Sequence, residues 1–157
     1  MPDQVHTHHG GGPGMRCYLL FFLLFLSVVG ANAANLEIQP VTAGVWALVG
    51  EKQQRSPENL GNNATFGVIE TADGVILVDP GGSWKGAEAI HDAIWGLASK
   101  PVTHVINTGG QDHRWLGNGY WRAQGAIIIA SADAVEDQKA RGSMQLTMLD
   151  EIGRAHV

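Results

Sequence analysis

An aspartate and a histidine stand next to each other in a glycine-rich loop, at Asp112 and His113. Carboxylate and imidazole are two of the side-chain groups that bind Zn²⁺ in proteins, alongside thiolate. The pair predicts a metal loop in which Asp112 is a ligand or a catalytic, water-positioning base and His113 is a ligand. Gln111 and Asn118 flank the pair and are candidates for supporting the loop. Two ligands do not complete a site, because a structural zinc needs four protein ligands and a catalytic zinc about three.

The same loop has a second interpretation that requires no metal. In that case Asp112 accepts hydrogen bonds from backbone N–H groups while His113 packs on Trp115. Gly109 and Gly110 fit both interpretations, because glycine permits a sharp turn as well as a close approach to a ligand. The spacing of the residues leaves both open.

A second carboxylate, Asp79, follows a strand-like apolar run and precedes Pro80. Ligand sites of open α/β sheets gather at the carboxyl ends of strands. Asp79 is therefore predicted to orient a ligand or brace the loop by hydrogen bonding. Aspartate before proline is also common in simple turns, and that alternative stays open. Of the other histidines, His91 is expected to face solvent on a helix and His104 to be a satisfied strand residue.

Hydrophobic patterning predicts the elements that position these side chains. Short β segments come first, and Ala72-Asp73-Gly74 predicts a tight hairpin turn. The return strand at residues 75–78 is continuously apolar, which predicts cover on both faces. The order that follows is a helix capped by Ser83, a strand at 102–106, a helix at 120–124, a buried strand at 126–130 and a helix capped by Ser131. This alternation predicts an α/β sheet layered with helices.

The N-terminal 33 residues are predicted to be a signal peptide. Arg16 precedes an apolar run at residues 18–29, and Ala31-Asn32-Ala33 provides the small residues of a cleavage site. The run is shorter than the ~20 apolar residues of a spanning helix, so no stable membrane anchor is expected after cleavage. Met15 is a plausible true start. The mature chain is then expected to be periplasmic or secreted, and the only cysteine, Cys17, lies inside the signal.

The formal charge of −5 and the lack of a basic cluster argue against a nucleic-acid partner. A small-molecule substrate is expected instead. Residues 151–157 can be encoded as GAG-ATC-GGA-AGA-GCA-CAC-GTC, which reproduces the start of a widely used sequencing adapter. We therefore expect this segment to be a sequencing artefact and the domain to comprise residues 34–150, truncated at its C-terminal end.

Four segments together resemble the metallo-β-lactamase-fold hydrolases: residues 44–48 (GVWAL), 62–69 (NNATFGVI), 73–81 (DGVILVDPG) and 102–108 (VTHVINT). The resemblance implies the N-terminal half of an αββα sandwich, in which two sheets pack face to face between outer helices. It also implies one or two Zn²⁺ ions that activate water for hydrolysis. Asp79 matches the strand-end aspartate of that family.

The family's ligand loop reads H-x-H-x-D-H, and this chain departs from it. Without gaps, the two leading histidines fall on Gly109 and Gln111, and the D-H pair falls on His113 and Arg114. A shift by one residue restores Asp112-His113 as the D-H pair, but the leading histidines then fall on Thr108 and Gly110. In either register the paired histidines are missing.

Two functions follow from these residues. The first is an exported hydrolase with an altered, single-metal site built from Asp112, His113 and downstream ligands. The second is a non-catalytic binding or scaffold protein whose loop is held by hydrogen bonds. The chain as given is expected to be inactive, and an uncovered sheet face is expected to make the isolated fragment poorly soluble.

Overall fold

The computed structural model describes residues 35–151, so the predicted signal peptide and residues 152–157 lie outside it. One six-stranded sheet runs in chain order, β1-β2-β3-β4-β5-β6. Its strands are β1 (Glu37–Thr42), β2 (Val45–Val49), β3 (Thr65–Glu70), β4 (Val75–Val78), β5 (Val102–Asn107) and β6 (Ile127–Ala130). The helices are α1 (Trp84–Trp95), α2 (Asn118–Ala123) and α3 (Ala132–Glu151), with a 3-10 turn at Asp112–Arg114. This is the predicted α/β architecture.

The sheet changes from antiparallel to parallel at β4. Strands β1 to β4 pair antiparallel, and the hairpin between β3 and β4 turns at the predicted site, where Thr71 N–H donates to Gly74 O at 2.8 Å. Gly74 has φ +150°, a conformation that L side chains rarely adopt. β4, β5 and β6 are parallel, so their carboxyl ends meet at one edge. The loops after β4 and β5 therefore lie side by side.

Helices α1 and α2 cover one face of the sheet. The core on this face contains Leu48, Phe66, Leu77 and Val105 from the strands, with Trp121 from α2, all with 0% exposure. α1 begins where predicted, because Ser83 Oγ accepts from Gly86 N–H at 2.9 Å. α2 begins two residues earlier than the predicted helix and ends one residue sooner.

The opposite face of the sheet is apolar and uncovered within residues 35–151. Ile76 and Val78 on β4 are half-buried, and Ile127 and Ile129 on β6 are 59% and 46% exposed. The expectation that these two strands are buried on both faces is therefore wrong for the described part of the chain, since α1 and α2 both pack on the other side. The expectation of an uncovered face is met.

His91 does not face open solvent as expected. Its Nδ1 lies 2.7 Å from the Tyr120 hydroxyl, and its ring centroid is 5.1 Å from that of Trp121. The helical pattern placed His91 off the apolar stripe of α1, but α2 packs beside that flank and covers it. No helix within residues 35–151 combines the length and apolar character that crossing a membrane requires.

Candidate functional site

The site loop, residues 107–118, leaves the carboxyl end of β5 and is closed at its base by two asparagines. Asn107 Nδ2 donates to Asn118 Oδ1 at 3.0 Å, and Asn118 Nδ2 donates back to Asn107 Oδ1 at 2.7 Å. Gly117 N–H also donates to Gly81 O at 2.9 Å. The loop is therefore fixed to the loop after β4, which carries Asp79.

Asp79 braces the site loop through Thr108. Its Oδ1 accepts from Thr108 N–H at 2.8 Å, and its Oδ2 lies 2.7 Å from the Thr108 hydroxyl. Asp79 is 7% exposed and has φ +64°, a left-handed conformation that non-glycine residues adopt at an energetic cost. The carboxylate of Asp79 is thus used in hydrogen bonds to the loop.

Helix α3 holds the loop from its other side. Gln145, 5% exposed, donates from Nε2 to Gly110 O at 2.9 Å and accepts from Trp115 Nε1 at 2.8 Å. Gln138 Nε2 donates to Gly109 O at 3.2 Å. The carbonyl groups of both loop glycines are therefore paired with protein donors.

Asp112 and His113 lie together on the 3-10 turn. Asp112 Oδ1 accepts from His113 N–H at 2.9 Å and lies 3.1 Å from His113 Nδ1. Asp112 Oδ2 forms an ion pair with Arg55, whose side chain is 20% exposed. Arg55 comes from the loop between β2 and β3, and burial lowers its pKa. Both oxygens of Asp112 therefore have partners in the protein.

His113 is neutral near pH 7. Burial lowers its pKa from the usual 6.5, and the positive charges of Arg114 and Arg55 lower it further, whereas Asp79 opposes them. With Nδ1–H directed at Asp112, the lone pair of the imidazole lies on Nε2.

The described residues do not by themselves fit a zinc ion. No three His, Cys, Asp or Glu side chains between residues 35 and 151 come together as a metal site. Both oxygens of Asp79 and of Asp112 already accept from protein donors, whereas no protein group within residues 35–151 is bonded to His113 Nε2. The structure brings together the two predicted ligands, and residues 35–151 supply no third.

The remaining predicted loop residues have different surroundings. Asn118 pairs with Asn107, as described above, whereas Gln111 is exposed and only its backbone carbonyl is used, accepting from Arg114 N–H at 2.9 Å. His104 is half-buried on β5, with Nδ1 3.0 Å from Thr103 Oγ1. Within residues 35–151, the ring contacts involve Trp84, His91, Tyr120 and Trp121, and none joins His113 to Trp115 as the second interpretation expected.

Sequence reasoning missed the part played by two arginines. Arg114 Nη1 donates to Thr108 Oγ1 at 2.7 Å, which extends the Asp79–Thr108 interaction to a guanidinium. One sequence signal pointed to Arg114, because in the ungapped register it takes the place of the histidine in the family's D-H pair. Arg55 had no sequence signal, since its contact with Asp112 depends on the path of a separate loop.

A mixed sheet with helices on one face and a polar loop at the carboxyl end of a parallel strand defines the fold class as α/β. The family model of the metallo-beta-lactamase superfamily matches residues 61–153, and the chain belongs to that superfamily. No curated protein matches the sequence at a significant level.

Solved metallo-β-lactamases share the fold. The enzyme FIM-1 from Pseudomonas aeruginosa, in its mono-zinc form, is 21% identical with a TM-score of 0.57, over 68% of this chain and 46% of that one. The enzyme from Hirschia baltica is 20% identical with a TM-score of 0.57, over 68% of this chain and 48% of that one. The chain thus spans about half the length of these structures, and the likeness concerns the fold.

Proposed function

We propose that the chain is part of an exported, hydrolase-like protein of the metallo-β-lactamase superfamily that acts on a small molecule through an altered metal loop. The observation that carries the proposal is the Asp112–His113 pair at the carboxyl edge of the sheet. A neutral imidazole whose Nδ1–H is held by a carboxylate presents Nε2 as a proton acceptor or a ligand atom.

The proposed roles follow from these contacts. His113 Nε2 accepts a proton from the attacking water, and Asp112 fixes the ring and stabilises the imidazolium that forms. Because the described donors do not fit a zinc ion, no step is assigned to a metal. A metal-dependent reaction requires ligands from outside residues 35–151, with His113 Nε2 as the contribution of this loop.

A second function, a non-catalytic binding protein of the same fold, is favoured by a different observation. Arg55 already forms an ion pair with Asp112. In the ungapped register, Gly109 and Gln111 replace the two leading histidines of the family's loop. A loop with its carboxylates tied by protein donors can bind a ligand without reacting with it.

Hydrolysis assays on the complete mature protein decide between the two. Lactam, thioester and phosphoester substrates are offered to the wild type, to His113→Gln and to Asp112→Asn, with His104→Gln as a matched control on β5. General-base loss predicts a fall in kcat of about 10²–10⁴ for His113→Gln, with His104→Gln close to wild type. Hydrolysis unaffected by His113→Gln, or absent in the folded wild type, contradicts the catalytic proposal and leaves the binding function.

Metal dependence and export have separate readouts. Elemental analysis of the purified protein, with thermal melting before and after chelation, measures zinc independently of activity. A stoichiometric ion lost in His113→Gln indicates the metal-dependent form.

Export is tested by the N-terminus of the protein isolated from the periplasm or medium, which we expect to be Ala34 after cleavage at Ala33.

A further inference from the structure

The guanidinium of Arg114 is fixed at one end only. Nη1 donates to Thr108 Oγ1 at 2.7 Å, and Thr108 is bonded in turn to Asp79. The backbone of Arg114 is fixed as well, by the bond from its N–H to Gln111 O. The side chain is thus anchored within the site loop.

The other edge of this guanidinium has no protein acceptor within residues 35–151. Arg114 Nε is buried and without a hydrogen-bond partner, the single side-chain N or O atom of the described residues in that condition. Leaving a buried donor unpaired destabilises the folded protein. The acceptor that this donor requires comes from outside residues 35–151, as water, a ligand or a further part of the chain.

The geometry of arginine defines what that acceptor is. Nε–H and one N–H of Nη2 lie parallel on one edge of the planar group, opposite the edge that carries Nη1. Two parallel donors match the two oxygens of a carboxylate or phosphate, and such bidentate bonds are stronger than neutral ones. A neutral carbonyl or hydroxyl presents one oxygen and satisfies half of this edge.

The side chain of Arg114 packs against Gly109. A Cβ at Gly109 would lie 3.3 Å from Arg114 Cδ, which is closer than most contacts, and 3.6 Å from its Nη1, which is an ordinary contact. In the ungapped register, Gly109 and Arg114 both replace histidines of the family's loop. The arginine side chain therefore lies beside a position at which the family's loop carries a histidine.

The charged neighbours of Arg114 are already paired with other groups, whereas Arg114 has donors left over. Arg55 lies on the same site and is matched by Asp112 in an ion pair. Arg114 and Arg55 both lower the pKa of His113, so each places positive potential on that ring. The negative charge of Asp79 is directed at Thr108. Among these groups, the guanidinium of Arg114 has the donors left to pair.

We infer that Arg114 binds a carboxylate or phosphate group of the small-molecule ligand through its Nε–H and Nη2–H edge. A guanidinium thus recognises the ligand at the part of the loop where relatives carry metal ligands. The inference names the class of substrate for the proposed function and rests on that function only for the location of the site. Binding itself requires no hydrolysis.

The test uses the complete mature protein with inorganic phosphate and with acetate, each against sodium chloride at the same ionic strength. The ¹H–¹⁵N resonance of Arg114 Nε reports the contact directly, and thermal melting reports binding. We expect a saturable shift of this resonance and a rise in Tm beyond the chloride control. The stronger of the two anions distinguishes a phosphate ligand from a carboxylate ligand.

Variants of Arg114 separate the effect of its two parallel N–H donors from the effect of its positive charge. Arg114→Lys keeps the charge but loses the parallel donors, and we expect anion affinity to fall about tenfold or more, ~1.4 kcal/mol per factor of ten. Arg122→Gln, an exposed arginine on α2, is the matched control and should bind as the wild type does. Arg114→Gln removes the charge as well and should abolish the anion-dependent rise in Tm. If this variant fails to fold, Arg114→Lys and the wild-type resonance still decide the question.

Two results would overturn the inference: no shift of the Arg114 Nε resonance beyond chloride, or wild-type affinity in Arg114→Lys. Its failure is distinguishable from failure of the hydrolase proposal. Anion binding without hydrolysis supports the first and contradicts the second. Hydrolysis that depends on His113, without an effect of Arg114→Lys on binding, does the reverse.

Discussion

Replacing Thr108 with valine removes one hydroxyl from the centre of the site without changing the shape of the side chain. That hydroxyl bonds to Asp79 Oδ2 at 2.7 Å and accepts from Arg114 Nη1 at 2.7 Å. The backbone bond from Thr108 N–H to Asp79 Oδ1 is retained. The substitution therefore isolates the side-chain part of the brace.

The expected cost follows from the charges and the burial of the partners. A hydrogen bond to a charged group contributes about 1.5–3 kcal/mol, and Asp79 is 7% exposed. Thr108 is itself exposed, so water can replace part of the lost interaction. We expect the free energy of unfolding to fall by about 1.5 kcal/mol, the lower end of that range.

Urea denaturation of the complete protein measures this cost, with Thr147→Val as the matched control. Thr147 is exposed on α3, and its Oγ1 donates to Ser143 O at 3.0 Å, so its loss should change stability by no more than about 0.5 kcal/mol. Amide exchange in the site loop should also become faster in Thr108→Val. A cost for Thr108→Val equal to that of Thr147→Val would refute the assignment of Asp79 and Thr108 as the brace.

Three further predictions follow. Burial lowers the pKa of His113, so between pH 6.5 and the lower folded pKa the unfolded chain binds a proton that the folded chain does not. The free energy of unfolding should therefore fall as the pH drops through 6.5, and it should level off below the folded pKa. Denaturation between about pH 7.5 and 5.5 should show this fall in the wild type and a smaller one in His113→Gln. Gly142→Ala should stabilise α3 by about 0.5–1 kcal/mol, because the added Cβ meets the Trp115 ring at an ordinary 3.5 Å, and a loss of stability in denaturant would count against it. The isolated fragment 34–150 should aggregate through its uncovered apolar face, and the double variant Ile127→Thr/Ile129→Thr should be more soluble. Light scattering and thermal melting test this. A wild-type fragment that is monodisperse and unfolds cooperatively would contradict it.

Much of the fold could be predicted from local patterns. The hairpin at Gly74 and the cap at Ser83 depend on residues within a few positions of each other, and both lie where predicted. The pattern of β6 alone did not predict the exposure of Ile129, because an apolar strand has the same pattern whether one face or both are covered. The uncovered face was predicted only from the resemblance to half of a sandwich. The contact of His91 with Tyr120 was missed because it depends on how α2 packs against α1.

The features of the site likewise divide into those that the sequence shows and those that depend on the tertiary structure. The adjacency of Asp112 and His113 and the lack of the paired histidines are properties of the sequence. The engagement of Asp112 by Arg55 is not, because Arg55 lies on a loop whose path is set by buried Asn59, which bonds to Ser56 N–H and Gln54 O.

The sequence by itself determined the order of the elements, the superfamily loop and the donor types within it, since hydrophobic periodicity, turn chemistry and residue identity act over short distances. The tertiary structure decided which of these polar side chains already have protein partners and which do not. It tied Asp112 to Arg55 and Asp79 to Thr108, and it left Arg114 Nε without an acceptor in the described chain. Hydrogen bonding depends on distance and direction between groups far apart in sequence, and only the packed sheet and helices fix those.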